Sequence, residues 1–388
     1  MKLSKLFLMG AIALGMVACN NDDVPNVQEK NATVSLKLTQ AGTRAIGDNT
    51  LAVAESNIKK LDVFVFNGDA RDGFKSEASA TSVLEVKDID VTTGSRTLVV
   101  VANAPEDLSS ITSKAALLAK VNDDLANQKV EDGLLMTSEE TTAFTIAAGH
   151  NYYGYADDAA VPAENKHSIG EPVKLTRVAA RVALVGASVE FSGAYADWEF
   201  EPEQIFLFNA KKQSKYFGAS LVEGEELLSG VDLTGFNGDL KPDNWDAAWV
   251  VPYLQNPFTD LNAATPATPY YYYTFENDPT IQPTVLSIKG KLKNADGDEL
   301  TNVDLPGAID ADGFTYYSVI VNGDLGGYTY NAGHTPDKKI VRNTQYNITL
   351  TIKHPGKDDP TDPPTEQAML DVLVEVVPWV VVNQAVDY

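Results

Sequence analysis

Cysteine is nearly missing from this sequence: Cys19 is the only one, so neither an internal disulfide nor a thiolate zinc site can form. Histidine is scarce too, and His150, His167, His334 and His354 lack the short spacings of a metal site. Basic charge is outnumbered, with 30 Lys and Arg against 54 Asp and Glu and a net charge of −24. An excess of that sign repels phosphate backbones and excludes nucleic acid as a partner. The longest leading apolar run, Leu6–Ala18, falls short of a hydrocarbon core of roughly 30 Å at about 1.5 Å rise per residue. No phosphate-binding glycine loop, metalloprotease histidine pair or nucleophile elbow is present. What is left is an acidic chain of 388 residues, 44% hydrophobic, long enough for two domains with a core each.

The N-terminus reads as an address. Lys2 and Lys5 precede the short apolar run, which ends in small residues before Cys19. That order is a signal peptide, residues 1–18, rather than a membrane span. Met16-Val17-Ala18-Cys19 resembles a bacterial lipobox, with Met16 where leucine is commoner, and so makes Cys19 the candidate lipidation site. Asn20–Asp23 is polar and acidic, as a tether leaving a membrane should be, and is similar to surface-export signals of Bacteroidetes lipoproteins.

Beyond the tether the pattern is that of β-structure. In Asn31–Thr39, Ala32, Val34, Leu36 and Leu38 share one face, while Thr33, Ser35 and Lys37 share the other. Leu61–Phe66, Thr97–Ala102, Val173–Phe191, Gln204–Asn209, Tyr270–Phe275, Pro283–Lys293, Thr315–Val321 and Gln345–Lys353 read as further strands bounded by turn residues. One helix is expected, capped by Ser113 and running from Lys114 to Ala126. The expected fold is mainly β: two tandem antiparallel β-sandwich domains with one or a few short helices. The division is 45–188 and 189–388, the boundary falling inside Val173–Phe191, a segment able to serve both domains. Residues 355–368, rich in proline and aspartate, read as an extended linker before a terminal segment, 369–388.

That terminal segment repeats the signature of the first strand. Leu370, Val372, Val374 and Val376 form a four-residue apolar face, and after Pro378 come Trp379, Val380 and Val382. Between the two segments, Arg44-Ala45 lies in a run of small and polar residues open to an arginine-specific protease. One mechanism joins these features. Cleavage after Arg44 frees residues 19–44, which carry the tether and the first strand, and opens an apolar groove. The C-terminal segment of another copy then fills it, giving a head-to-tail filament. Four buried aliphatic side chains at roughly 1.5–3 kcal/mol each set an upper gain of about 6–12 kcal/mol.

At this point the whole chain resembles the FimA-type major fimbrillins, stalk subunits of the type V pili of Bacteroidales. The resemblance rests on Asn31-Ala32-Thr33, Arg44-Ala45, Arg96-Thr97-Leu98-Val99-Val100, Ala210-Lys211-Lys212-Gln213-Ser214, Phe217-Gly218-Ala219 and Phe236-Asn237-Gly238. Phe275-Glu276-Asn277-Asp278, Tyr328-Thr329-Tyr330 and Pro378-Trp379 extend it to the end. It implies transthyretin-like sandwiches and an outer-membrane lipidated precursor that becomes an extracellular fimbria. It also implies polymerisation by donor-strand exchange, with minor anchor and tip subunits as partners, in support of adhesion and colonisation. Carried over, Cys19 is lipidated, Arg44 and Ala45 flank the cleavage, Ala32–Leu38 is displaced and Leu370–Val382 is the donor.

Other motifs carry less. Ser56–Lys59 matches a serine–lysine acylase spacing without its companion motifs, and Asn294–Glu299 reads as a turn rather than a calcium loop. Tyr270–Tyr273 reads as a strand with two tyrosines on each face, in preference to a sugar-stacking platform. No enzyme, cofactor or metal is expected. The alternative is a monomeric glycan-binding outer-membrane surface lipoprotein, which needs neither the Arg44 loop nor a donor-like C-terminus.

Overall fold

Alternation of apolar and polar residues sets strands in both halves of this computed structural model, which describes residues 29–38, 54–155, 158–167, 173–218, 226–278, 280, 282–362 and 370–378. In the first half, one sheet has the order β10 (Lys166–His167), β9 (Gly149–Tyr153), β1 (Ala32–Lys37), β4 (Glu85–Val91). A second has the order β11 (Leu175–Arg177), β7 (Met136–Ser138), β5 (Gly94–Ala102), β2 (Lys60–Asn67), β3 (Ala70–Ala78), and β8 (Phe144–Ile146) joins it beside β5. Val34, Leu36, Val86 and Ile89 of the first sheet pack with Leu61, Val63, Leu98 and Val100 of the second. The opposite face of β2 and β5, with Phe64, Phe66, Val99 and Val101, clusters with Leu108, Leu117, Leu125 and Leu135.

Leu117 lies in the helix, α1 (Lys114–Leu118), which Ser113 caps through its Oγ at 3.1 Å from the Ala116 N–H. The helix stops well short of Ala126, where helical spacing alone would carry it. Val121–Asn122 (β6) is instead recruited into a two-stranded ribbon with Ser214–Lys215 (β14), and Asp124 caps a separate turn of 3₁₀ helix. Tertiary pairing here outweighs local propensity.

In the second half, one sheet has the order β17 (Tyr270–Thr274), β12 (Ala180–Val189), β21 (Thr344–Ile352), β22 (Leu370–Pro378), β20 (Tyr328–Tyr330). The facing sheet has the order β15 (Leu227–Ser229), β13 (Glu199–Lys211), β18 (Val285–Lys293), β19 (Thr315–Ile320), with β16 (Gln255–Pro257) beside β13. Val182, Leu184, Ile348 and Leu350 meet Ile205, Leu207, Leu286 and Ile288 in the core between them. The fold is mainly β, as expected, but its sheets are mixed: β1 is parallel to β9, β12 to β21, and β20 to β22.

The segment 173–191 does serve both halves. β11 pairs with β7 of the first, and β12 pairs with β17 and β21 of the second. The change of sheet occurs over Val178–Ala179, both fully buried, so the expected boundary at residue 188 falls inside a strand of the second half. The expected linker also differs. Residues 355–362 lie against the second half, where Thr361 is buried and its carbonyl accepts from the Leu240 N–H at 2.8 Å. Lys357 bridges to Tyr316, and the Asp359 carboxylate accepts from the Asn237 N–H at 2.7 Å. Proline prevents regular structure there without making the chain free; residues 363–368 lie outside the described residues.

Candidate assembly groove

β1 is an interior strand. It runs antiparallel to β4, with Ala32 opposite Val91, and parallel to β9, with Ala32 opposite Gly149. Ala32, Val34, Leu36 and Leu38 are all buried, as their alternation requires. The register with β4 slips between Val34 and Leu36, where two residues, Lys87 and Asp88, face the single Ser35. Asp88 takes φ +54° at this bulge, and its N–H donates to the buried Ser35 Oγ at 3.1 Å. On the β9 side, Thr33 Oγ1 and His150 Nδ1 are 2.9 Å apart, and Asn151 Nδ2 donates to the Thr33 carbonyl at 3.3 Å. Gly154 closes the end of the slot, since a Cβ there would sit 2.2 Å from the Lys37 carbonyl oxygen.

The chain after Leu38 leaves the described residues and returns at Ala54, so Arg44 and Ala45 lie outside them, as does Cys19. On return it is fixed at once. The buried Glu55 carboxylate accepts from Arg181 Nη1 at 2.9 and 3.0 Å and from the Tyr273 hydroxyl at 2.8 Å. Arg177 Nε donates to the Glu55 carbonyl at 3.1 Å, and its Nη2 donates to Ser56 Oγ at 2.9 Å. Burial pushes the Arg177 guanidinium down to about 10. Glu55 therefore joins the start of the first half to β12 and β17 of the second.

The C-terminal strand occupies a slot of the same kind. β22 is antiparallel to β21, from Ile352 opposite Leu370 to Thr344 opposite Pro378, and parallel to β20, with Tyr328 opposite Val372. Leu370, Val372 and Val374 are buried in the chain's own second core. Leu373 is half exposed on the other face, and Asp371 there pairs with Lys353. Val376 stands opposite Tyr346 in the backbone register; Trp379, Val380 and Val382 lie outside the described residues. Each terminal strand thus has an antiparallel wall on one side and a parallel wall on the other.

The walls of the β1 slot were harder to read than the strand itself. β4 escapes an alternation search because the bulge at Lys87–Asp88 puts Val86 and Ile89 out of phase. β9 is short and carries Gly149, His150 and Asn151 at its start. The Glu55 pairing has no local signal, since its partners Arg177 and Arg181 lie 122 and 126 residues away.

Comparison with known proteins follows this architecture. Residues 32–177 match the family described as major fimbrial subunit protein (FimA), and residues 179–379 match the FimA4 pilin C-terminal domain. The two matches meet where the sheets change. The chain is 38% identical over 395 residues to a major fimbrium subunit FimA type-2 of Porphyromonas gingivalis, covering 99% of both chains. It is also 38% identical to a type-4 major fimbrium subunit from the same species, over 100% of each. A crystal structure of a fimbrilin (fimA) from Porphyromonas gingivalis W83 superposes with a TM-score of 0.78 at 35% identity, covering 92% of this chain and 100% of that one. The chain belongs to the FimA family: it is a major fimbrial subunit, a structural component of an extracellular fimbria at the cell surface.

Proposed function

We propose that this subunit is exported as a lipoprotein on Cys19, trimmed after Arg44 by an arginine-specific protease, and polymerised by donor-strand exchange. In the precursor β1 plugs the first half and the lipid holds the chain at the outer membrane. Cleavage cuts the covalent link between β1 and the rest, while Glu55 keeps the new N-terminal arm rooted. The vacated slot then accepts the C-terminal segment, 369–388, of another copy. Copies join head to tail in the stalk, with minor subunits as anchor and tip, and the fimbria serves adhesion and colonisation.

The observation that carries this reading is the interior position of β1, between β4 and β9, with its four apolar side chains buried. An interior terminal strand leaves a gap with two unpaired walls when it goes, and such a gap demands another strand. Energetics also divide the donor. Moving Leu370, Val372 and Val374 out of their own core costs about what their insertion next door gains. A net gain for exchange therefore has to come from the rest of the 369–388 segment.

Arg44→Ala tests the scheme in cells of the native type. It is expected to hold the protein as a lipidated, unpolymerised precursor. Filaments of normal length from that variant would refute the cleavage step.

A further inference from the structure

A cleft of about 480 Å³ lies between the two halves, outside both strand slots. One wall is the 125–131 segment of the first half; the other is Tyr253 to Asn256 and Pro269 to Tyr273 of the second. Its size falls within the roughly 300–1,000 Å³ of small-ligand sites. Tyr253 and Tyr270 to Tyr273 share the lining with aliphatic residues such as Leu125, Val130 and Leu254. Tyr271 and Tyr273 stand edge to face with centroids 5.5 Å apart, and the Arg181 guanidinium is 5.9 Å from the Tyr271 ring centroid. Their support is rigid, because the Tyr273 hydroxyl is held by the buried Glu55. Tyr253 stands at the rim, 41% exposed.

The polar groups point to the class of ligand. Gln128 lines the cleft while only 5% exposed; its Oε1 accepts from the Leu135 N–H at 3.3 Å, but its Nε2 is buried with no hydrogen-bond partner. That nitrogen is closed off from solvent and out of reach of a ligand in the cleft. Asn256 adds an exposed amide on the opposite wall. Lys129 and Glu131 contribute one charge of each sign, so the cleft selects for neither anion nor cation. Aromatic faces beside an exposed amide match a ring with apolar C–H faces and hydroxyl edges.

We propose that this interdomain cleft binds neutral saccharide, one or two pyranose rings deep, with Tyr253 and Tyr271 as stacking surfaces and the exposed Asn256 as hydroxyl partner. Repetition of the cleft along a stalk of many copies converts weak single-site binding into useful avidity. The site is independent of strand exchange, since it shares no residue with the β1 slot or the donor segment.

Saturation-transfer NMR on the full-length protein tests it, with lactose, maltotriose and N,N′-diacetylchitobiose as probes and a strand-forming Thr-Val hexapeptide as counter-probe. Transfer to the ring C–H protons of at least one saccharide is expected. Tyr253→Ala and Asn256→Ala, both at exposed positions, should each weaken it by about tenfold with the thermal midpoint unchanged. Three results would overturn the proposal: no transfer to any saccharide, transfer that Tyr253→Ala leaves intact, or transfer to the peptide alone, which would make the free edge of β17 a strand-pairing site.

Discussion

Glu55 and Arg181 form a buried ion pair across the two halves, with both carboxylate oxygens within 3.0 Å of a single guanidinium nitrogen. The pair sits where the described residues resume, at Ala54 and Glu55. It ties Glu55 to β12 of the second half. A buried pair adds little over well-packed apolar residues, but removing one partner strands the other charge.

Glu55→Ala is therefore expected to destabilise the protein by about 3–5 kcal/mol, measured by denaturant unfolding. Glu55→Gln keeps the hydrogen-bond acceptor and should lose less. Replacing Glu55 and Arg181 together by methionine should recover most of the loss. If the double variant is as unstable as Glu55→Ala, the stranded charge is not the cause.

Leu36→Ala removes buried methyl groups from the centre of the β1 face. In the untrimmed chain it should lower the unfolding free energy by about 2–5 kcal/mol. After trimming at Arg44 and separation of the released segment, variant and unsubstituted subunits are chemically identical and must unfold alike. A persistent difference after trimming would mean that β1 had remained in its slot.

Asp62 lies buried on β2 opposite Ser76, with the Lys60 ammonium 3.4 Å away. Burial raises its carboxyl above the ordinary value of 3.8. The sign follows from proton linkage. The folded state binds this proton more tightly than the unfolded state, so stability falls as pH rises from about 3.8 through the raised value. Asp62→Asn, neutral throughout, should be more stable than the parent at pH 7. The advantage should vanish below the ordinary carboxylate range. Paired thermal melts at the two pH values check it, and a parent that is the more stable at pH 7 would show that Lys60 outweighs burial.

Much of this fold is legible in the sequence where a strand's burial is one-sided or its residues are uniformly β-forming. The Ala32–Leu38 alternation marks β1, and the aromatic run marks β17. Legibility fails where structure depends on distant partners. Val178–Ala179 carries no glycine or proline, so nothing local announces the change of sheets. The helix ends before Ala126 because Leu118 is 39% exposed and the next residues pair with β14 instead. Proline and aspartate in 355–362 were read as freedom, although carboxylates such as Asp359 cap and anchor neighbouring backbone. For the groove, the plug was visible and its walls were not, because a bulge hides β4 and pairing in space, not spacing in sequence, selects β9.

The central claim is that the slot left by β1 is refilled by the C-terminal segment of another copy. Its most direct measurement is capture of a synthetic peptide, residues 369–388, by subunits freshly trimmed after Arg44, followed by native mass spectrometry. The account predicts a one-to-one complex, a raised thermal midpoint and arrested filament growth. Untrimmed precursor, with β1 still in place, should not bind the peptide. Filaments that grow undisturbed with no peptide bound to trimmed subunits would contradict it.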